Sequence, residues 1–491
     1  MQPGPPQSKS FKKKLRNILL LALAIGAIAF YIAWPSISNG VVDYDNIEEH
    51  FKYGSIGSEP ANGIPYWIWK ALPELFADKL PGKGYASLGF IQEEGQDRPV
   101  GFSMRRVLID RVSLNCGVCH TGSVRETPES KPRILTGMPA NTMNLAGYTK
   151  FLMDCAKDER FTVDQMMAAI EKVAGGRLGM IDRLIYRYAA IPQTKTELLA
   201  RMPKLKFIDR QPDWGPGRVD TFNPYKALQF NFPMEKLPDE EIIGTVDLPS
   251  IWQQRQREGM QLHWDGDNSS VEERNKSAAL GAGVTPATID LPRIKRIEDW
   301  LLDVTPPSYP FPIDNGLASQ GEPIYRANCA DCHGESGRKL AGKYVGHVVP
   351  VEEVGTDRHR LDSYTYELLE NQNQLYAGYP WRFKQFRKTN GYANMPLDGL
   401  WLRAPYLHNG SVPTLRDLLN PPAIRPASFY RGNDVIDRQN LGFVSSLAES
   451  EGRRFFRFDT SLPGNSSAGH VYGVNLKPAE KNALIEYLKT F

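Results

Sequence analysis

Four of the five cysteines lie in two copies of one short pattern, C-x-x-C-H, at residues 116–120 and 329–333. Two thiols three positions apart on one helical turn can each add to a vinyl group of haem, and the adjacent histidine can then face the iron. We therefore predict two covalently bound haem c groups. Their tethers and first axial ligands are Cys116, Cys119 and His120 for haem 1, and Cys329, Cys332 and His333 for haem 2.

Two other uses of paired cysteines fit the spacing less well. A zinc ribbon places its two C-x-x-C pairs about 15–20 residues apart, whereas these begin at residues 116 and 329. A thioredoxin-like redox pair needs a βαβ context, and the pattern shows none. The fifth cysteine, Cys155, follows an apolar stretch at residues 151–153, so we predict an inert core thiol and no disulfide.

The second axial position of each iron separates oxygen chemistry from simple electron transfer. No histidine lies between His120 and His263, so we expect haem 1 to have an open or weakly held position that admits O₂ or peroxide. For haem 2 the candidates, in order of preference, are His470, Met395 and His359. His470 ranks first because Gly464, Gly469 and Gly473 around it allow the backbone to approach a flat ring.

The elements that position these residues are predicted to be mainly helical. Apolar residues follow helical spacing around 161–207 and again at 477–491, and little strand pattern is visible. We expect two cytochrome-c-like haem modules with long loops. The first spans residues 35–302 with insertions, a proline-rich linker covers 303–316, and the second spans 317–491.

The N-terminus combines a basic tail at residues 1–17 with an uncharged run at residues 18–34. Seventeen helical residues reach about 26 Å, enough for a thin bilayer, and the basic flank favours the cytoplasmic side. We predict an uncleaved transmembrane anchor in the inner membrane, with the haem modules in the periplasm. A cleaved signal peptide is the alternative, although Ala-Trp-Pro-Ser at residues 33–36 is a poor cleavage sequence.

Composition restricts the remaining possibilities. The 491 residues are 41% hydrophobic and 23% charged, as in ordinary globular proteins. Lys and Arg total 59 against 56 Asp and Glu, and this balance indicates no nucleic-acid partner.

Several motifs resemble those of the di-haem cytochrome c peroxidase superfamily, and most closely its rubber-oxygenase-like (RoxA-type) branch. They are Tyr406-Leu-His408-Asn-Gly410 with Thr414-Leu415, the turn Trp264-Asp265-Gly266, and Trp214-Gly-Pro-Gly-Arg218. The resemblance implies that Trp264 relays electrons between the haems and that haem 2 has two histidine ligands, His333 and His470. It also implies an apolar residue beside haem 1, assigned by register to Leu280, and allows a Ca²⁺ ion between the modules.

These observations predict an exported oxidoreductase in which haem 1 reacts with O₂ or peroxide and haem 2 relays electrons. Its expected partners are a periplasmic electron donor or acceptor protein, O₂ or peroxide, and the lipid bilayer through residues 18–34. The alternative function is electron transfer alone, with both irons six-coordinate. A haem-dependent sensor is a third hypothesis, but no output domain is recognisable.

Overall fold

The computed structural model describes residue 14, residues 16–26 and residues 40–491. It is a mixture of helix and sheet, 42% helical and 12% strand, so the prediction of a mainly α fold is wrong. The strands hold between two and six residues each. Segments this short do not show the alternating pattern by which a strand is recognised in a sequence.

The α-helices vary from four to fifteen residues. In the first half they are Ile47–Tyr53, Glu59–Asn62, Tyr66–Leu75, Leu145–Lys157, Val163–Ala174, Met180–Ile185, Ile191–Leu205, Asp239–Ile242, Val271–Gly281 and Leu291–Leu301. In the second half they are Asn315–Asn328, Ala330–His333, Val351–Val354, His359–Ser363, Tyr366–Leu375, Leu415–Leu418 and Pro478–Leu488.

The strands form one four-stranded antiparallel sheet and several two-stranded pairs. The sheet has the order Gly40–Val41, Phe102–Val107, Ile109–Leu114, Ile64–Pro65. The pairs are Thr121–Val124 with Arg133–Thr136, Arg218–Asp220 with Thr245–Asp247, Val348–Pro350 with Gly391–Ala393, Ser428–Arg431 with Phe456–Asp459, Ile436–Asp437 with Gly442–Phe443, and Glu449–Ser450 with Arg453–Arg454.

The predicted membrane anchor is corrected by the structure. Residues 16–26 are helical, whereas residues 27–34 of the predicted span lie outside the described residues. Among the residues that are described, no helix has both the length and the apolar character needed to cross a membrane. This finding overturns the predicted transmembrane helix and the assignment as a single-pass inner-membrane protein.

In the second half of the chain, the first and last helices pack against each other. Asn315–Asn328 packs against Pro478–Leu488, the C-terminal helix expected from the apolar pattern. At their crossing a Cβ on Gly321 would lie 2.0 Å from the carbonyl oxygen of Ala483. Only glycine permits this approach, so the sequence requires Gly321 where the two backbones meet.

Buried ion pairs join the two predicted modules. Each pair takes one partner from residues 35–302 and the other from residues 317–491, so the halves form one structure. Residues 304–314 between them contain neither helix nor strand, yet Tyr309 in this segment is buried against Trp401. The ion pairs are Arg125–Asp434, Asp247–Arg431, Arg257–Asp398 and Asp265–Arg360.

Candidate haem sites

The first C-x-x-C-H motif lies between two strands. The Ile109–Leu114 strand leads into a short 3₁₀ turn, Cys116–Val118, and the Thr121–Val124 strand follows. Asn115 caps the turn, since its side-chain oxygen accepts a hydrogen bond from the backbone N–H of Gly117 at 2.9 Å. A single tight turn is therefore enough to present the two thiols and the histidine together.

One ring nitrogen of His120 is anchored by the protein. Nδ1 donates to the carbonyl oxygen of Pro249 at 3.0 Å, which leaves the lone pair on Nε2. Burial, and then the positive charge of Arg274, lowers the pKa of His120 to about 4. The imidazole is therefore neutral near pH 7, as a metal ligand must be.

A cleft of about 70 Å³ opens beside the first motif. Two helices, Val271–Gly281 and Leu291–Leu301, form one wall, and the apolar side chains on it include Ile294, Ile297 and Leu301. Its volume is several times that needed by one water molecule, so the cleft can admit a small ligand. The residues that line it are Cys116, His120, Pro249, Ser250, Ile251, His263, Arg274, Asn275, Ala278, Ile294, Ile297, Glu298, Leu301 and Met395.

The second motif has a helical setting. The Asn315–Asn328 helix precedes it, and Ala330–His333 is itself a helical turn. Tyr325 donates its hydroxyl hydrogen to the carbonyl oxygen of Gly334 at 2.6 Å and so fixes the end of that turn. Nδ1 of His333 donates to the carbonyl oxygen of Met395 at 2.7 Å, which again leaves Nε2 as the free nitrogen.

His470 faces His333 across a gap of the size that an iron requires. The two ring centroids lie 6.1 Å apart. Metal–imidazole bonds of about 2.0–2.1 Å place two such centroids about 6 Å apart, because each centroid lies about 1 Å behind its nitrogen. Burial, and then the neighbouring His333, lowers the pKa of His470 to about 3, so both rings can be neutral ligands.

Arg425 holds the loop that carries His470. Its guanidinium donates to the carbonyl oxygens of Ser467, Gly469 and His470. The backbone of His470 has a φ of 47°, in the left-handed region that a non-glycine residue seldom adopts. Three hydrogen bonds from one buried side chain keep this strained loop in place.

The other two candidates for the second ligand of haem 2 have different partners. Met395 lies on the Nδ1 side of His333, where its carbonyl is already used, and it also lines the cleft of the first motif. His359 bonds through Nδ1 to Asp357 at 2.9 Å. A further histidine, His408 of the motif that begins at Tyr406, stacks on Tyr392 with 4.0 Å between ring centroids, and its Nε2 bonds to the hydroxyl of Tyr392. Of these histidines, only His470 forms a ring pair with His333 within the described chain.

Trp264 has one hydrogen bond through its side chain and one through its backbone. Its indole N–H donates to the carbonyl oxygen of Asp247 at 2.8 Å, and its own carbonyl accepts from Ala393 at 2.8 Å. The preceding residue, His263, lines the first cleft, and Met395, two residues after Ala393, anchors His333. This position is compatible with the predicted relay.

Leu280 is not among the described residues that line the first cleft. It is buried in an apolar cluster with Ile294 and Ile297, whereas Ala278 on the same helix reaches the cleft. Two positions along an α-helix turn the side chain by about 200°, so residues 278 and 280 cannot share one face. The predicted role of Leu280 beside haem 1 stays a prediction without a contact to support it.

Three charged or titratable residues of the cleft were not recognised from the sequence: His263, Arg274 and Glu298. Burial lowers the pKa of Arg274 to about 10, and its guanidinium bonds to the side-chain oxygen of Asn275. Burial, and then Glu272, raises the pKa of Glu298 to about 7. No local motif marks these residues, because two helices and a distant loop bring them together.

The residues present fit haem at both motifs. Burial raises the pKa of Cys116, Cys119 and Cys329 to about 12, so these thiols are neutral. The anchored histidines supply neutral nitrogen ligands, and the buried guanidinium of Arg274 can offset the negative charge of haem carboxylates. In the described part of the chain, no cluster of three or more His, Cys, Asp or Glu residues is suited to hold a metal ion such as Ca²⁺.

Comparison with known proteins points to the same chemistry. A family model described as RoxA-like, cytochrome c-like matches residues 391–430. The uncharacterised protein y4iJ of Sinorhizobium fredii is 26% identical over an alignment of 520 positions. The alignment covers 82% of this chain and 83% of y4iJ. The uncharacterised protein y4iM of the same organism is 31% identical over 297 residues, or 52% of this chain and 66% of y4iM.

The family match supports a c-type cytochrome. More particularly, it supports the RoxA-like cytochromes, and a cytochrome c-like domain implies covalently bound haem c. The matched residues include Met395, which anchors His333, and the motif from Tyr406 to Thr414. The matched residues contain neither C-x-x-C-H motif.

Proposed function

We propose that this protein is a di-haem oxidoreductase in which the two sites divide the work. The first, with Cys116, Cys119 and His120, would react with O₂ or peroxide. The second, with Cys329, Cys332, His333 and His470, would pass electrons between the first site and a partner redox protein.

One contrast carries the proposal. His333 has a second imidazole ring with its centroid 6.1 Å away, whereas in the described part of the chain no histidine ring is in contact with His120, which borders a cleft. Two strong nitrogen ligands favour electron transfer without binding of further molecules, while one histidine and an open space favour binding of a small molecule.

Haem bound at both sites would supply iron that changes its oxidation state. The chain's own residues would set what each iron can do. Pro249 and Met395 hold the first histidine of each site through a backbone carbonyl, which fixes the ring and the nitrogen that remains free. Ile294, Ile297 and Leu301 line the first cleft and would favour an apolar substrate.

The test is spectroscopy of the purified holoprotein. We expect two haems per chain, one low-spin and one with an EPR signal that responds to added ligand, and one CO bound per reduced chain. The double variant Cys116→Ser/Cys119→Ser should lose one haem and the CO binding. The matched variant Cys329→Ser/Cys332→Ser should lose one haem and keep the CO binding.

Two low-spin haems that bind neither CO nor O₂ when reduced would contradict the proposal. The protein would then be an electron-transfer cytochrome with both irons six-coordinate. A single haem per chain in the wild-type protein would contradict the division of work between two sites.

A further inference from the structure

His263 and Asp267 form a pair at the edge of the first cleft. Nδ1 of His263 lies 2.5 Å from a carboxylate oxygen of Asp267, and Asp267 is only 1% exposed. A carboxylate accepts hydrogen bonds, so Nδ1 carries the hydrogen and Nε2 carries the lone pair. His263 also lines the cleft together with His120 and Cys116.

The loop from residue 262 to residue 268 holds this pair rigidly. The backbone N–H of Leu262 donates to the carbonyl oxygen of Asn268 at 2.7 Å and closes the loop. Within it, His263 has a φ of 60°. Asp265 is bound by Arg360 from the other half of the chain. The orientation of the His263 ring is therefore determined by the fold.

His263 does not pair with His120 as His470 pairs with His333. The His333–His470 contact is the one pair of histidine rings in contact within residues 40–491. Two imidazoles that clamp one iron must come as close as that pair. His263 therefore lines the cleft without forming a ring pair with His120, and its Nε2 has the lone pair.

We propose that His263, supported by Asp267, is the proton acceptor of the first haem site. This inference rests on the proposed function, because it needs an iron at His120 that accepts an external ligand. When a weak acid such as hydrogen cyanide or hydrogen peroxide enters the cleft, its proton would move to Nε2 of His263. The resulting anion would then be available as a ligand to an iron held by His120, and the carboxylate of Asp267 would balance the positive charge of the imidazolium.

Two other charged residues face the cleft, Arg274 and Glu298. Arg274 is a cation with no lone pair to offer. Glu298 has one oxygen that is buried without a hydrogen-bond partner, so a negative charge on it has little support. Only the His263–Asp267 pair combines a free basic nitrogen with a buried group that stabilises the protonated form.

Cyanide binding to the ferric protein tests this role without any assay of catalysis. Hydrogen cyanide must lose its proton to bind, whereas CO, which binds the reduced protein, has none to lose. His263→Gln keeps an N–H that can donate to Asp267, but an amide is not a base. We expect cyanide association at the first site to slow by about 100-fold or more, with CO affinity unchanged.

Asp267→Asn should slow cyanide association to a smaller degree, because the imidazole remains but its positive charge loses the carboxylate. His347→Gln, at an exposed histidine, is the control and should leave the rate unchanged. An unchanged cyanide rate in His263→Gln would overturn the inference alone. So would a low-spin signal at the first site that disappears in this variant, because His263 would then be an iron ligand.

Failure of the proposed function gives a different result. In that case the first site of the wild-type protein binds neither cyanide nor CO, and the inference about His263 falls with it.

Discussion

The two C-x-x-C-H motifs have the same spacing but different surroundings. The first is a 3₁₀ turn between two strands, and the second is a helical turn after a fourteen-residue helix. Both histidines nevertheless donate Nδ1–H to a backbone carbonyl, that of Pro249 in the first site and of Met395 in the second. The motif therefore requires one tight turn and an anchored ring, and either kind of secondary structure can supply them.

The two sites differ in what neighbours the first histidine of each motif. His333 meets another imidazole, that of His470, whereas His120 meets a cleft with a histidine–aspartate pair at its edge. Identical motifs can thus lead to different chemistry, because the second ligand comes from a part of the chain that the motif does not specify.

Removal of His470 should have the largest effect on the difference between the two sites. In His470→Ala we expect haem 2 to change from low-spin to high-spin, and the reduced chain to bind two CO molecules in place of one. EPR and CO titration measure both changes. The matched variant is His359→Ala, which removes another partly buried histidine, already paired with Asp357. It should leave both spectra unchanged.

An unchanged low-spin signal in His470→Ala would show that His470 is not the second ligand of haem 2. Met395 or another residue would then have that role, and the 6.1 Å ring pair would lose its significance.

A buried carboxyl on one wall of the first cleft should make its stability depend on pH. The folded protein raises the pKa of Glu298 from its usual 4.5 to about 7, by burial first and by Glu272 second. The folded state therefore binds this proton more tightly than the unfolded state. The resulting stability is fully present below pH 4.5 and is lost as the pH rises through about 7.

Glu298→Gln removes this proton. At pH 8 we expect the variant to be more stable than the wild type by about 1–3 kcal/mol, and at pH 5 the difference should be much smaller. Urea unfolding at the two pH values measures the change. Glu272→Gln, which removes only the second cause, should give a smaller effect in the same direction. A difference that does not vary with pH would contradict the assignment.

The sequence predicts the covalent part of both sites from the spacing of C-x-x-C-H, and the family match implies covalently bound haem c without giving the number of haems. The sequence also ranked His470 first, since flanking glycines indicate a close approach of the backbone. The anchoring groups were not predictable. They are backbone carbonyls of Pro249 and Met395, and a carbonyl has no residue type that identifies it.

The predicted fold class was wrong for a physical reason. The first motif depends on a hairpin of Phe102–Val107 and Ile109–Leu114, which turns at Leu108 with a φ of 66°. No Asn-Gly or Asp-Gly marks that turn, so the pattern gave no hairpin signal. Leu280 was assigned by register alone; it is buried in an apolar cluster, and its role beside haem 1 stays a prediction.

The smallest expected effect concerns the region between the sites. Trp264→Phe keeps an aromatic ring but loses the indole N–H that donates to Asp247 at 2.8 Å. We expect a stability loss of about 1 kcal/mol from that hydrogen bond, with both haems still attached. Electron transfer between the haems should slow, and rapid partial reduction followed optically measures its rate. Tyr392→Phe, at a neighbouring ring in the same apolar cluster, is the control for packing. If the two variants transfer electrons equally fast, Trp264 has no special part in electron transfer between haem 1 and haem 2.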